Sequence, residues 1–455
     1  MHSRRPAVLV LGAFCAALTL GSQPTLASTA SVESPKVLFV GIDGATWKVI
    51  GPLIEQGDLP TLARLIKEGA YASSFDTLKE GTASPLIWTT IVTGRTPKDH
   101  GIESFVTVLP NGTKIPVTSS SRKARAIWEL ASQNDLTVGV VGYWASWPAE
   151  PVNGYVISDH ANTAFSEFMF KDGRLWTEDP ARLRSFDRDF YPREIAPILA
   201  KRWISREDFS YENLQLRGQF TDRQMAELKS TDWNLFSDYY SLLKTMYRVD
   251  YPLFLISKDL MVEKPTDLQI VYFHGPDPVQ HFAWDLVEPE AYAVPNPNLE
   301  RDRGLVEGVY RAFDSMLGEL VAATSEDTWV IVASDHGAEP SPRATGSPRR
   351  GRSGEHSYSA KGVLFMRGPK IKPGYRLVGA TPYDLMPTLM WLLGLPLSDE
   401  LEGRVLTEAF DASFVKNRPV ERVPSYGPRE TTSPESSPAD DLMLDLLRGL
   451  GYIGE

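Results

Sequence analysis

The chain has 455 residues, 42% of them hydrophobic, with 47 Lys and Arg against 58 Asp and Glu, a formal net charge of −11 and a single cysteine. That is enough apolar matter for a packed globular body, and the balance is too acidic for a dedicated nucleic-acid binder, whose affinity rests on Lys and Arg neutralising phosphate. One cysteine excludes a disulfide framework and any thiolate-rich metal site, so a metal would have to be held by His, Asp and Glu.

Arg4 and Arg5 precede an apolar run from Ala7 to about Leu20, and small residues lead to Ala27. This is the pattern of a secretory signal peptide over residues 1–27. The run is shorter than the roughly 20 residues of a spanning helix, and bulky Phe14 ahead of Cys15 argues against a lipid anchor. The expectation is an exported protein, periplasmic or secreted, with no membrane span after signal removal. Cys15 leaves with the signal, and the loss of Arg4 and Arg5 takes the charge from −11 to −13. About 425 residues remain, more than one compact core needs, which points to one large α/β domain with insertions or to two domains.

Residues 36–44, KVLFVGIDG, read as a buried strand whose carboxyl end carries Asp43 into a loop. LPTLARLIKEG follows with Leu59, Leu62, Leu65 and Ile66 on one helical face and Gly69 as its stop. A further helix is predicted from Ser84-Pro85 to Gly94. The buried-strand pattern recurs at 137–143, 268–274, 328–334 and 362–367, and a helix is predicted over 301–323. Strands alternating with helices imply a mostly parallel sheet covered on both faces. In such sheets ligand-binding groups gather at the carboxyl ends of the strands, and Asp43, Asp277 and Asp335 each stand just past one. Residues 160–260 break the rhythm and read as a largely helical insertion, with 222–248 helical. From Asn417 to Asp440 the chain is Pro/Ser-rich, a linker to a short helix over 440–449.

Three islands hold potential metal ligands: Asp43; Asp277-x-x-x-His281; and Asp335-His336 followed by His356. If 277–281 is a helical turn, its (i, i+4) spacing puts Asp277 and His281 on one face. Imidazole and carboxylate without thiolate suit zinc and also admit manganese or iron.

In this order the islands resemble the alkaline phosphatase superfamily, over about residues 36–410. The segment SPLIWTTIVTGRTPKDHGI, residues 84–102, is similar to the nucleophile segment of its type I phosphodiesterase/nucleotide pyrophosphatase branch, and residues 385–406 to a closing segment many members share. The resemblance implies a catalytic domain over 33–416 that binds two divalent metal ions. Asp277, His281 and His356 would hold one; Asp43, Asp335 and His336 would hold the other, completed by the Ser84 hydroxyl. It implies Ser84 as the nucleophile, a phosphoseryl intermediate hydrolysed by water, and a small phosphate ester as substrate. Ser84 before Pro85 also fits a helix cap, and one residue can do both. Thr82, Thr89, Thr90 and Thr93 are its neighbours of like chemistry.

Characterised nucleotide pyrophosphatases carry an Asn a few residues after His-Gly-Ile that touches a phosphate oxygen; Phe105 stands at the matching position here. Lys79, Arg95 and Arg122 are the cations that could replace that contact. His100 and His274 are expected in structural roles, His160 is open, and Trp144 and Trp147 fit either packing or a stack on a leaving group. A phosphomonoesterase or phosphoryl transferase on the same metals, and a non-catalytic metal-binding protein, are the alternatives. Ser84-Pro85-Leu86 lacks the Pro/Arg motif of formylglycine sulfatases. The sequence sets no oligomeric state.

Overall fold

The computed structural model describes residues 37–161, 169–171, 174–176, 188–202, 208–233, 238–341, 352–430, 433–437, 440–449 and 452–453. The expected signal segment, 1–27, lies outside these residues, as do parts of the 160–260 insertion.

Nine strands form one sheet. In chain order they are β1 (Val37–Ile42), β2 (Ala70–Phe75), β3 (Val138–Tyr143), β4 (Gly154–Ser158), β5 (Phe190–Tyr191), β6 (Leu268–Phe273), β7 (Trp329–Ala333), β8 (Gly362–Arg367) and β9 (Tyr375–Arg376). Their spatial order is β9-β2-β8-β7-β1-β6-β3-β4-β5. The run β7-β1-β6-β3-β4 is parallel throughout, while β8 and β5 enter antiparallel at its two sides. The sheet is thus the mostly parallel one expected.

β1 shows why an unbroken apolar run is needed at the centre. Leu38, Val40 and Ile42 point into one apolar layer and Val37 and Phe39 into the other, all buried. Each such side chain contributes about 1.5–3 kcal/mol on leaving water, and both faces of the strand collect it. The first layer is covered by α1 (Trp47–Gln56), α2 (Pro60–Glu68), α5 (Tyr239–Glu263) and α7 (Leu305–Ala322). The second is covered by α3 (Ser84–Thr93), α4 (Ile127–Gln133) and α8 (Leu385–Leu392). Along α7, Leu305, Tyr310, Phe313, Met316, Leu317 and Leu320 recur at helical spacing and are buried.

The stretch expected to be helical over 222–248 is two helices, Asp222–Ser230 and α5, and α5 runs on to Glu263. α6 (Asp277–Ala283) follows β6, and α9 (Asp440–Gly449) stands near the end of the chain. The Pro/Ser-rich segment ahead of α9 is pinned by Arg429, which donates to the carbonyls of Ser119 and Arg122 at 3.0 and 2.7 Å and pairs with Glu129 at 3.0 Å. No described helix is long and apolar enough to cross a membrane.

Candidate metal and nucleophile site

The parallel strands β1, β6 and β7 end side by side, and the loops that leave them bring Asp43, Asp277, Asp335 and His336 together. Gly44 makes the first loop possible. Its φ is +70°, and a Cβ there would come within 2.7 Å of the Asp277 Cβ, so only glycine lets β1 pass this close to α6. Gln280 on α6 donates to the Gly44 carbonyl at 2.8 Å and accepts from the Tyr310 hydroxyl at 2.8 Å. Ser334 Oγ accepts from the Ala45 N–H at 2.8 Å and donates to the His336 carbonyl at 2.7 Å. The loops are therefore cross-linked by buried hydrogen bonds rather than held by packing alone.

Ser84 opens α3, and its Oγ lies 3.4 Å from Asp43 Oδ1 and 3.3 Å from His336 Nε2. It does not cap the helix: Ala83 is the cap residue and makes no side-chain cap bond. The hydroxyl is turned into the site instead. Thr89, Thr90 and Thr93 bond back to carbonyls four residues earlier, at 2.7, 3.1 and 2.7 Å. Of the hydroxyls on this helix, Ser84 is the one among the carboxylates.

Backbone carbonyls orient the two inner imidazoles. His281 Nδ1 lies 2.9 Å from the Gly354 carbonyl, and His336 Nδ1 lies 2.9 Å from the Gly337 carbonyl. A carbonyl only accepts, which favours a proton on Nδ1 of each ring and leaves Nε2 directed at the carboxylates. His281 Nε2 then faces Asp277 Oδ1 at 3.4 Å; His336 Nε2 faces Asp43 Oδ1 at 3.4 Å and Asp335 Oδ2 at 3.3 Å. Carboxylates and imidazole nitrogens gathered this closely favour a cation among them. His356 completes the group, its ring stacked 3.7 Å from that of His336 and 5.2 Å from that of His281.

The electrostatics say the same. Burial, then Asp335 and Asp277, push the Asp43 carboxyl well above its usual range. Burial raises Asp335 too, and its Oδ2 has no hydrogen-bond partner among the described residues. For Asp277, burial acts upward, but His281, His336 and His356 together outweigh it and draw the carboxyl down. Burial and His336 hold His356 neutral. Two sets of donor atoms, Asp277-His281-His356 and Asp43-Asp277-His336, each lie within 4.8 Å of one another. Three buried carboxylates and three imidazoles fit a divalent cation well. Asp277 stands in both sets, where the sequence placed it in one.

The cations named for the phosphate contact are engaged elsewhere. Arg122 is buried between Glu129 and Glu150 at 2.7 and 2.6 Å, and Arg95 pairs with Glu400 at 2.7 Å. Lys79 is exposed. Trp147 is packing, stacked on buried His160 with ring centres 4.6 Å apart, and burial brings the His160 pKa down to about 3. His100 is structural: its ring bonds Thr90 Oγ1 at 3.0 Å and the Ile102 N–H at 3.2 Å. Trp144 and His274 line the cavity beside Ser84, and His274 Nδ1 lies 3.2 Å from Asp250 on α5.

Three residues at the site were not singled out from sequence. Tyr272 on β6 donates to Asp43 Oδ2 and accepts from Trp144 Nε1 at 2.7 Å. Arg352 Nη2 lies against the His281 ring, 2.8 Å from Nδ1 and 3.1 Å from Nε2. Tyr452 donates to Asp277 Oδ2.

A mostly parallel sheet whose strand ends gather a serine with three aspartates and three histidines defines a member of the alkaline phosphatase superfamily, a class of hydrolases. Residues 37–348 match the type I phosphodiesterase / nucleotide pyrophosphatase family, and the chain belongs to that family. A choline-sulfatase of Rhizobium meliloti (strain 1021) is 24% identical over 333 residues, covering 64% of this chain. The chain spans about 60% of the length of that curated relative. Among solved structures, human ectonucleotide pyrophosphatase / phosphodiesterase 5 is similar over 83% of this chain and 100% of its own, at 13% identity and a TM-score of 0.49. The phosphonoacetate hydrolase of Sinorhizobium meliloti 1021, in complex with phosphonoformate, covers 68% of this chain and 57% of its own at 17% identity and a TM-score of 0.36.

Proposed function

We propose that the protein is an exported phosphoric-ester hydrolase, a phosphodiesterase or nucleotide pyrophosphatase in type, working through two divalent cations and a phosphoseryl intermediate on Ser84. The observation that carries this is Ser84 Oγ, 3.3–3.4 Å from His336 Nε2 and Asp43 Oδ1 at the start of a ten-residue helix. Family membership supports it. Asp277, His281 and His356 would hold one ion; Asp43, Asp335 and His336 would hold the other, with Ser84 beside them. Zinc suits this donor set first, and manganese or iron is also compatible. When bound, such ions lower the hydroxyl pKa of serine and offset charge on the phosphoryl oxygens.

The chain's own residues set the geometry. The amino end of α3 favours an anionic phosphoryl group near Ser84. Ser84 Oγ attacks phosphorus, an Oγ–P bond forms, and the bond to the leaving oxygen breaks as that group departs with a proton. Water then attacks phosphorus, its oxygen stays on the phosphate, the Oγ–P bond breaks, and a proton from that water restores the Ser84 hydroxyl. The Tyr272 hydroxyl, itself held by Trp144, keeps Asp43 aimed at Ser84 throughout.

The test is hydrolysis of bis-p-nitrophenyl phosphate and p-nitrophenyl phosphate by purified residues 28–455, with zinc and after chelation. Zinc-dependent diester turnover is expected, falling about 10³-fold or more in Ser84→Ala. Preferred monoester turnover would reassign the enzyme as a phosphomonoesterase or phosphoryl transferase on the same metals. Two bound ions without turnover of either ester would leave either an ester of another kind as substrate or a non-catalytic metal-binding protein.

A further inference from the structure

The last residues of the chain reach the site. On α9, Met443, Leu446 and Leu447 share one helical face and are buried, 3%, 6% and 4% exposed. They line the same cavity as Asp43, Ser84, Trp144, His274 and Asp277, with Met246 and Val249 of α5 opposite. Beyond the helix, the Tyr452 N–H donates to the Leu447 carbonyl at 2.8 Å and turns the chain back. The Tyr452 ring lies flat on Phe105, centres 4.6 Å apart and planes 9° from parallel, with its flank to His281 at 5.2 Å. Phe105 stands where the family resemblance led us to expect a phosphate-touching Asn, and here it is the platform for a tyrosine.

That ring position decides what the hydroxyl does. Tyr452 donates to Asp277 Oδ2, while Oδ1 of the same carboxylate faces His281 Nε2 at 3.4 Å. Tyr272 does the same at the other carboxylate: it donates to Asp43 Oδ2, while Oδ1 faces Ser84 Oγ and His336 Nε2, each at 3.4 Å. Two tyrosines, 180 residues apart in sequence, each occupy the outer oxygen of one aspartate and leave the inner oxygen for a cation. Partners of this kind fix ligand orientation and raise metal affinity.

We propose that Tyr452 is a positioning residue for the metal centre: the C-terminal segment completes the Asp277-His281-His356 half by holding Asp277, as Tyr272 completes the Asp43 half from within the sheet. The inference rests on the reading of these residues as metal ligands given above. It makes α9 and its tail part of the site instead of an appendage to the domain.

The test is zinc titration of the metal-free full chain against a chromophoric chelator. Tyr452→Phe keeps the stack on Phe105 and removes only the hydroxyl. One of two zinc ions is expected to bind about 10–100-fold more weakly, with the other affected less, and the visible spectrum of the cobalt-loaded protein should change mainly in one component. Tyr272→Phe should weaken the other ion. If wild type binds two ions and Tyr452→Phe binds both as tightly, this inference falls and the proposed function stands. If wild type binds no zinc, the metal reading falls and takes the inference with it.

Discussion

Two clusters of buried charge in this molecule are built from like ingredients and end differently. Arg122 and Arg429 sit among Glu129 and Glu150, two cations to two carboxylates, with the Trp128 indole N–H donating to Glu150 at 2.9 Å. Burial alone would lower the Arg122 pKa, but the two glutamates outweigh it and raise it, and Glu129 is drawn below its usual range by the arginines. At the strand ends three carboxylates meet three imidazoles, with the Arg352 guanidinium against His281. The first cluster pairs each carboxylate with arginine and has little left to offer a ligand. The second sets three buried carboxylates against one guanidinium, and so keeps capacity for an added cation. Buried charge by itself says little about function; buried charge left unbalanced says a great deal.

The sharpest way to break this contrast is Arg122→Ala. It leaves Glu129 and Glu150 with Arg429 alone between them and should cost about 3 kcal/mol of stability, read by denaturant unfolding, while the activity of the folded fraction stays as in wild type. A selective loss of activity at unchanged stability would return Arg122 to the site and overturn the contrast. Asp159 tests a third way of handling a buried carboxylate. It accepts from the Ala145 and Trp147 N–H groups at 2.9 Å, and burial lifts its pKa from 3.8 to about 6. The folded state therefore keeps a proton that the unfolded chain releases, so stability is lost as pH rises from about 4 to 6, by about 3 kcal/mol at most. Asp159→Asn should flatten that part of the stability–pH curve; an unchanged slope would rule the cause out. The smallest effect is the most direct for the strand-end cluster. Zinc at about 100 times its dissociation constant should stabilise the wild type by about 2.7 kcal/mol per site. Arg122→Ala should keep this increment and His356→Ala should lose part of it. Equal increments in wild type and His356→Ala would place the cation elsewhere.

How much of this could be read from the sequence follows from how far each residue's partner lies along the chain. β1, β3, β6, β7 and β8 announced themselves because a strand buried on both faces must be apolar throughout. β2, β5 and β9 did not: Ala70–Phe75 mixes small and polar residues, and the other two are two residues long. All seven expected site residues converge; singly each was a weak signal, and it was their order along the chain and the family resemblance of 84–102 that picked them out. Tyr272 and Tyr452 escaped because their meaning lies wholly in partners 229 and 175 residues away. On its own sequence, YFHG or GYIG, each tyrosine is an ordinary aromatic. Arg122 was misplaced for the same reason, since Glu150 gives nothing away until β3 and β4 bring it back. Arg352, four residues ahead of His356, was the one missed residue with a local cue.

Arg429 has a consequence for the tail beyond its ion pairs. It moors the chain 23 residues before Tyr452, so the tyrosine never searches bulk solvent for the site. A tether of that length keeps a detached end at an effective concentration of millimolar order. The Tyr452 contact can then be individually weak and still be made nearly all the time.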